Sequence, residues 1–210
     1  MVKLIIFDLQ GTLVENGIYP SPVKQLRFIF NIRQSFHDYI TVFEKVFMTK
    51  KYDSLSQGFH VVAEQFHVSP PDFVIEKLVG IWNKNKLLSK PFPETIEVLT
   101  ELKKEYKLVL IANIDCFSKD VLEKYALNEY FDEIFLSCDV GMLKTDKGYF
   151  EMILKKMGVD KEDAIVVGDS TESDIKSSQA AGINAVLVDR NNRMMYENKI
   201  ANLKELKKHL

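Results

Sequence analysis

The chain has little cysteine, almost no net charge and no long apolar run, and each shortage removes a class of protein. Two cysteines in 210 residues, Cys116 and Cys138, lack CxxC spacing and make neither a disulfide framework nor a zinc site. A reducing, cytoplasmic setting is therefore expected. The formal net charge of -2 leaves no basic excess for general nucleic-acid binding. Arginine is scarce beside lysine, and Lys103-Lys104 and Lys207-Lys208 read as solvated helix faces. Val2 to Phe7 is interrupted by Lys3 and ended by Asp8, too short for a signal peptide, and no run approaches the roughly 18 apolar residues of a membrane span. Neither a nucleic acid nor a membrane is an expected partner, and no repeat or low-complexity tract stands out.

What is present is the composition of a globular protein, 46% hydrophobic and 28% charged, with length for one sizeable core and a modest insertion. Short apolar runs at Lys3 to Asp8, Leu108 to Asn113, Glu133 to Leu136, Ala164 to Gly168 and Ala185 to Val188 read as strands. Between them, Glu94 to Glu105, Ser118 to Tyr125, Lys147 to Met157 and Ser173 to Ala181 carry apolar residues at helical spacing, with Gly158 and Gly182 where helices should stop. That alternation predicts an α/β fold with a doubly wound, Rossmann-like parallel sheet. The stretch from 17 to 89 differs: it has no strand-like run but has Phe28, Phe30, Phe36, Phe43, Phe47, Phe59, Phe66 and Phe73 spaced as amphipathic helices. Pro20, Pro22, Pro91 and Pro93 flank it. The expected organisation is a core of 1–16 and 90–210 and an inserted helical domain of 17–89, whose Phe residues are mostly its own core, with one or two rings facing the site.

Asp8-Leu9-Gln10-Gly11-Thr12-Leu13 follows directly on the first strand. An aspartate at the carboxyl end of a buried strand, ahead of a glycine turn, is where an open α/β sheet presents a reactive group, and Asp8 is a candidate nucleophile. Three further stretches follow. The strand at Leu108 to Ala112 ends at Asn113; Ser137-Cys138-Asp139-Val140-Gly141-Met142-Leu143-Lys144 carries a lysine; Ile165 to Gly168 runs into Asp169-Ser170-Thr171-Glu172-Ser173-Asp174 and on to Ala180-Ala181-Gly182. Taken singly, these residues would read as turn residues, a helix cap and a surface lysine. At strand ends that meet on one edge they form a constellation. In this order the four segments resemble the signatures of the haloacid dehalogenase superfamily, mostly phosphatases, whose helical cap covers the site and selects the substrate.

The resemblance implies a division of labour. Asp8 would attack phosphorus and become an aspartyl phosphate. Asp8, Asp169, Asp174 and the main-chain carbonyl of Gln10 would hold Mg²⁺, an ion suited to hard oxygen ligands. Lys144 would neutralise the phosphate and fix Asp8. The turn at Gln10 and Gly11, with Thr12, Asn113 and the residue before it, would cradle the phosphoryl group of a small phosphorylated substrate. The protein is expected to act as a monomer or homodimer.

Two departures from the family pattern bear on activity. Gln10 stands where phosphatases of the family carry a second Asp, the general acid, and glutamine can neither donate that proton nor activate water; such assistance is typically worth roughly 10² to 10⁴ in rate. Ala112 stands where a Ser or Thr hydroxyl usually binds the phosphoryl, a loss of about 1.5 to 3 kcal/mol for one charge-assisted hydrogen bond. Thr145, in place of the usual proline, is a milder change. The expectation is a Mg²⁺-dependent, phosphatase-like hydrolase of low turnover that favours good leaving groups. Two alternatives stay open: a 2-haloacid dehalogenase-type enzyme using Asp8 on carbon, with Arg27 or Arg33 for a carboxylate, and a catalytically impaired phosphate-binding or regulatory protein. Candidates for a replacement acid are Glu15, Asp115, His37, His60 and His67, each with a surface or core role as the commoner explanation.

Overall fold

The structure is a computed structural model that describes residues 2–210. Strands β1 (Leu4–Asp8), β2 (Val14–Glu15), β3 (Lys90–Pro91), β4 (Lys107–Ala112), β5 (Glu133–Leu136), β6 (Ala164–Gly168), β7 (Asn184–Val188) and β8 (Lys199–Ile200) follow one another along the chain. Six of them make one sheet in the order β5-β4-β1-β6-β7-β8, parallel throughout. β1 pairs with β4 on one side and β6 on the other. This is the point where connections leave in opposite directions, and crevices at the carboxyl ends of such strands are where open sheets bind ligands.

The strands are buried on both faces, so they read as continuous apolar runs and their alternation sorts residues between two cores. Ile5, Phe7, Leu108, Leu110, Val167 and Val186 face one cluster, closed by Leu99, Leu122 and Leu206. Leu4, Ile6, Val109, Ile111, Val166 and Leu187 face the other, closed by Tyr149, Phe150 and Ile153.

The helical region consists of α1 (Pro22–Ile29), α2 (Phe36–Phe47), α3 (Leu55–Gln65) and α4 (Asp72–Leu88). Ser35 and Ser54 cap α2 and α3, accepting from the amides of Asp38 and Gln57. Phe30, Phe43, Phe47, Phe59 and Trp82 are buried in the helical region's own core, with Phe66 packed against it. Phe28, Phe36 and Phe73 are exposed. The two crossovers into and out of this region pair as the antiparallel β2–β3 ribbon, Val14 opposite Pro91 and Glu15 opposite Lys90.

The remaining helices are α5 (Thr95–Leu102), α6 (Asp120–Lys124), α7 (Ser137–Val140), α8 (Tyr149–Met157) and α9 (Ser177–Ala180), with a π-helical turn over Thr171–Lys176 before α9. Most expected elements lie within two residues of their observed bounds. The helix expected over Glu94 to Glu105 is shorter, because Lys103 to Glu105 close it as turns, and the one expected from Ser173 divides into the π turn and α9. Gly158 stops α8 at φ 63°. The ribbon strands and edge strand β8, two residues each, were not anticipated; so short a run carries no alternation to read.

Candidate active site

Four segments bring charged groups to the carboxyl edge of the sheet. β1 ends at Asp8, which is 4% exposed. Lys144, equally buried, donates from Nζ to Asp8 Oδ1 at 2.8 Å and to Asp174 Oδ1 at 2.6 Å. Asp174 Oδ2 accepts from the Ser170 amide at 2.9 Å, which fixes it at the start of the π turn. Carboxylate oxygens of Asp8, Asp169 and Asp174 all lie within 4.8 Å of one another. Thus three acids face one ammonium group, and Asp8 Oδ2 is buried without a hydrogen-bond partner among the described residues.

The electrostatics follow from that crowding. Burial pushes the Asp8 carboxyl up to about 6, Lys144 opposes the shift, and Asp174 adds to it. Burial works against the Lys144 charge, yet Asp174 and Asp8 hold the ammonium well above its ordinary range. Asp169, the exposed member, is also driven well above the usual carboxylate range, by desolvation on its inner side and then by Asp8 and Asp174. A buried excess of negative charge, made of hard oxygen donors with one orphaned acceptor, fits a divalent cation such as Mg²⁺.

Two glycines make the crowding sterically achievable. Gly11 has φ +86°, and a Cβ there would meet Asp169 Oδ2 at 2.0 Å; a Cβ on Gly168 would meet the Asp174 carboxylate at 2.3 Å. The turn after Asp8 is tight, with Gly11 N donating to Val14 O at 2.7 Å. Gln10 is half-buried and its Oε1 has no partner among the described residues. Thr12 is fully buried. Ala112, buried in the core at the end of β4, offers only a methyl group.

Asn113 bridges two parts of the site. Its Oδ1 accepts from the Lys144 amide at 3.0 Å, and its Nδ2 donates to Glu44 Oε2 at 2.8 Å. Glu44, on α2 of the helical region, was missed by the sequence reading; the available signal was an acid between Ile40 and Phe47 on an otherwise apolar helix face. Arg190 was missed as well. Its guanidinium donates to the carbonyls of Gly11 at 3.3 Å and Thr12 at 2.7 Å, pairs with Glu94 at 2.7 Å and lies 3.4 Å from the centre of the Phe92 ring. It clamps the turn that follows Asp8.

The other candidates have different partners. Asp115 is buried and accepts from Trp82 Nε1, Ser118 Oγ and the Phe117 amide, which joins the core to α4. Glu15 pairs with Lys90 across the ribbon. His37, His60 and His67 are exposed. Arg27 donates to the carbonyl of Gln34 within the helical region, and Arg33 is exposed.

With this geometry in place, the chain can be set beside known proteins. The family model described as haloacid dehalogenase-like hydrolase matches residues 5–188. A glyceraldehyde 3-phosphate phosphatase of Methanothermobacter thermautotrophicus is 26% identical over 195 residues, covering 90% of this chain and 86% of that protein. A phosphoglycolate phosphatase of Aquifex aeolicus is 28% identical over 195 residues, covering 89% and 84%. Among solved structures, the hydrolase YfnB of Bacillus subtilis, bound to magnesium, superposes with a TM-score of 0.68 at 18% identity over 99% of this chain and 98% of that one, a likeness of fold.

Proposed function

The chain belongs to the haloacid dehalogenase-like hydrolase family, and on that premise we propose that it is a Mg²⁺-dependent phosphatase of small phosphorylated metabolites, acting through Asp8. The observation that carries this reading is the Asp8–Asp169–Asp174 cluster bridged by Lys144, with one Asp8 oxygen unpartnered. Glyceraldehyde 3-phosphate and phosphoglycolate, the substrates named for the two phosphatase relatives, set the expected size and charge.

Asp8, Asp169, Asp174 and the Gln10 carbonyl would hold the ion, which when bound offsets negative charge on the phosphoryl oxygens. Lys144 keeps one Asp8 oxygen engaged and leaves the other free to attack. The Gln10 amide, with Thr12 and Asn113, would receive the phosphoryl oxygens. Residues 17–89 act as the cap domain over a core of 1–16 and 90–210. Gln10 and Ala112 lower the expected turnover and favour good leaving groups. Attack on carbon, the alternative, would leave three crowded carboxylates with only the Lys144 ammonium to offset them.

The test is phosphate release from p-nitrophenyl phosphate, glyceraldehyde 3-phosphate and phosphoglycolate, with Mg²⁺ and with EDTA. Sustained release that EDTA and Asp8→Asn both abolish is expected. Release that survives Asp8→Asn would overturn the reading.

A further inference from the structure

Gln10 leaves the reaction without an acid on the core side, and the cap brings a carboxyl group onto Asn113 at the sheet edge. α2 is docked onto the core directly after Glu44. Lys45 Nζ donates to Asp146 at 2.8 Å, and the Met48 carbonyl accepts from Ser137 Oγ at 2.6 Å. Leu143, the neighbour of Lys144, packs into the cap's aromatic core with Phe43 and Phe47, the residues that flank Glu44 on its helix. The segment carrying the catalytic lysine and the helix carrying Glu44 are therefore one packed unit. Asn113 completes it, holding the Lys144 amide with one end of its side chain and Glu44 with the other.

We propose that Glu44 is the general acid and base of this enzyme, taking from the cap side the role that residue 10 cannot fill. The inference rests on the phosphatase reading above. Asp8 attacks phosphorus, the bond from phosphorus to the leaving oxygen breaks, and that oxygen takes the Glu44 proton, giving an alcohol, aspartyl phosphate and a Glu44 carboxylate. Water then attacks the aspartyl phosphate and gives its proton to Glu44. The bond from phosphorus to Asp8 breaks, inorganic phosphate leaves, and both carboxyl groups return to their starting states. Asn113 Nδ2 can donate to Glu44 in either protonation state, because a carboxyl group keeps an accepting oxygen throughout.

The surroundings suit the role. Burial pushes the Glu44 carboxyl up to about 7; the Lys144 charge and the Asn113 hydrogen bond oppose that shift, and the charges of Asp174 and Asp8 add to it. An acid poised near neutral pH holds its proton for the first step and can accept one in the second. The charged groups that bear on it come from β1, the lysine segment and the π turn, and its neighbour Lys45 is engaged with Asp146.

The experiment compares wild type, Glu44→Gln, Glu44→Asp, Gln10→Asp and Glu44→Gln/Gln10→Asp on glycerol phosphate, a poor leaving group, and p-nitrophenyl phosphate, a good one. Glu44→Gln should lose about 10²- to 10⁴-fold in the single-turnover rate of leaving-group release on glycerol phosphate and much less on the aryl ester. Its alkaline limb near pH 7 should vanish, and intact mass should show phosphate retained on the protein. Glu44→Asp should retain part of the rate, and adding Gln10→Asp to Glu44→Gln should restore it, which a merely structural Glu44 would not allow. Equal losses on both esters with an unchanged pH profile would overturn the proposal. So would a wild type inactive on glycerol phosphate that Gln10→Asp makes active; both outcomes leave the phosphatase reading standing. No Mg²⁺-dependent turnover in any variant, on either ester, would remove that reading and this proposal together.

Discussion

The carboxyl edge of the sheet and the inner face of the cap are built from opposite materials. At the sheet edge, Asp8 and Asp174 are buried and both paired with the buried Lys144; Asp8 ends β1, and the Asp174 carboxylate lies where a Cβ on Gly168 would meet it. The cap is aromatic inside, with Phe43, Phe47, Phe59 and Trp82 in mutual contact, and offers the site one half-buried acid through an asparagine. On the proposed reading, the edge sets a fixed field for a phosphoryl group whatever its substituent. The cap, packed by less directional contacts, can change a side chain at the leaving-group side without disturbing that field. An acid moved from the core to the cap is a change this division of labour permits.

The sharpest way to break the comparison is at Lys144, where the edge depends on one charge. Lys144→Met should abolish turnover. It should also destabilise the fold by about 3 to 5 kcal/mol at pH 8, because it leaves buried carboxylates uncompensated. Urea unfolding in EDTA reads the second effect. Asp8 has a folded-state pKa raised to about 6 from an ordinary carboxylate value, so its burial favours folding only where it is protonated, and that benefit is lost as pH rises toward 6. Without the lysine the window moves higher still. The difference between variant and wild type should therefore be largest at pH 8 and shrink toward pH 4.

A smaller effect is expected at Gly11, where the edge depends on the absence of a side chain. Gly11→Ala puts a Cβ 2.0 Å from Asp169 Oδ2 at a φ that alanine resists. Asp169 must shift, and a displacement of about 1 Å in a positioned group can cost about 10²-fold in rate. Mg²⁺ titration of activity should show a weaker apparent affinity, whereas Gly141→Ala, at a similar φ of +72° with open space around it, should leave that affinity unchanged.

How far each region could be read from sequence follows the same line. The five longer parallel strands were legible within a residue because burial on both faces writes them as apolar runs. Asp8, Lys144, Asp169 and Asp174 were legible because each sits at a fixed offset from such a strand or from a glycine. Glu44 was not, since the inward face of α2 is decided by packing against Leu143 and Ser137, residues about a hundred positions away. Asp115 looked like a candidate acid from its place beside Asn113. Its bond to Trp82, on a helix of the cap, is a long-range fact that no local spacing carries.

Arg190 tests whether the edge also depends on reinforcement from outside its own motifs. Its fork binds two carbonyls and a carboxylate at once, a geometry that lysine cannot reproduce. Arg190→Lys should cost about 1.5 to 3 kcal/mol through the lost charged hydrogen bonds, read in kcat rather than KM, because the clamp acts on the turn that presents Asp8. If KM rose instead with kcat unchanged, Arg190 would be acting on substrate.

The smallest effect is expected where the two regions meet in water. Lys45 pairs with Asp146 at 2.8 Å, but its side chain is 55% exposed, and surface pairs of this kind contribute about 0 to 1 kcal/mol. Lys45→Ala should therefore leave the melting temperature almost unchanged. Its neighbour Glu44 is held by the half-buried Asn113 and by the aromatic packing of α2, so turnover should also be nearly that of wild type at 0.15 M salt. A large loss of turnover in Lys45→Ala without a loss of stability would mean that charge across the seam, and not the apolar packing beside Leu143, sets how the cap meets the sheet edge.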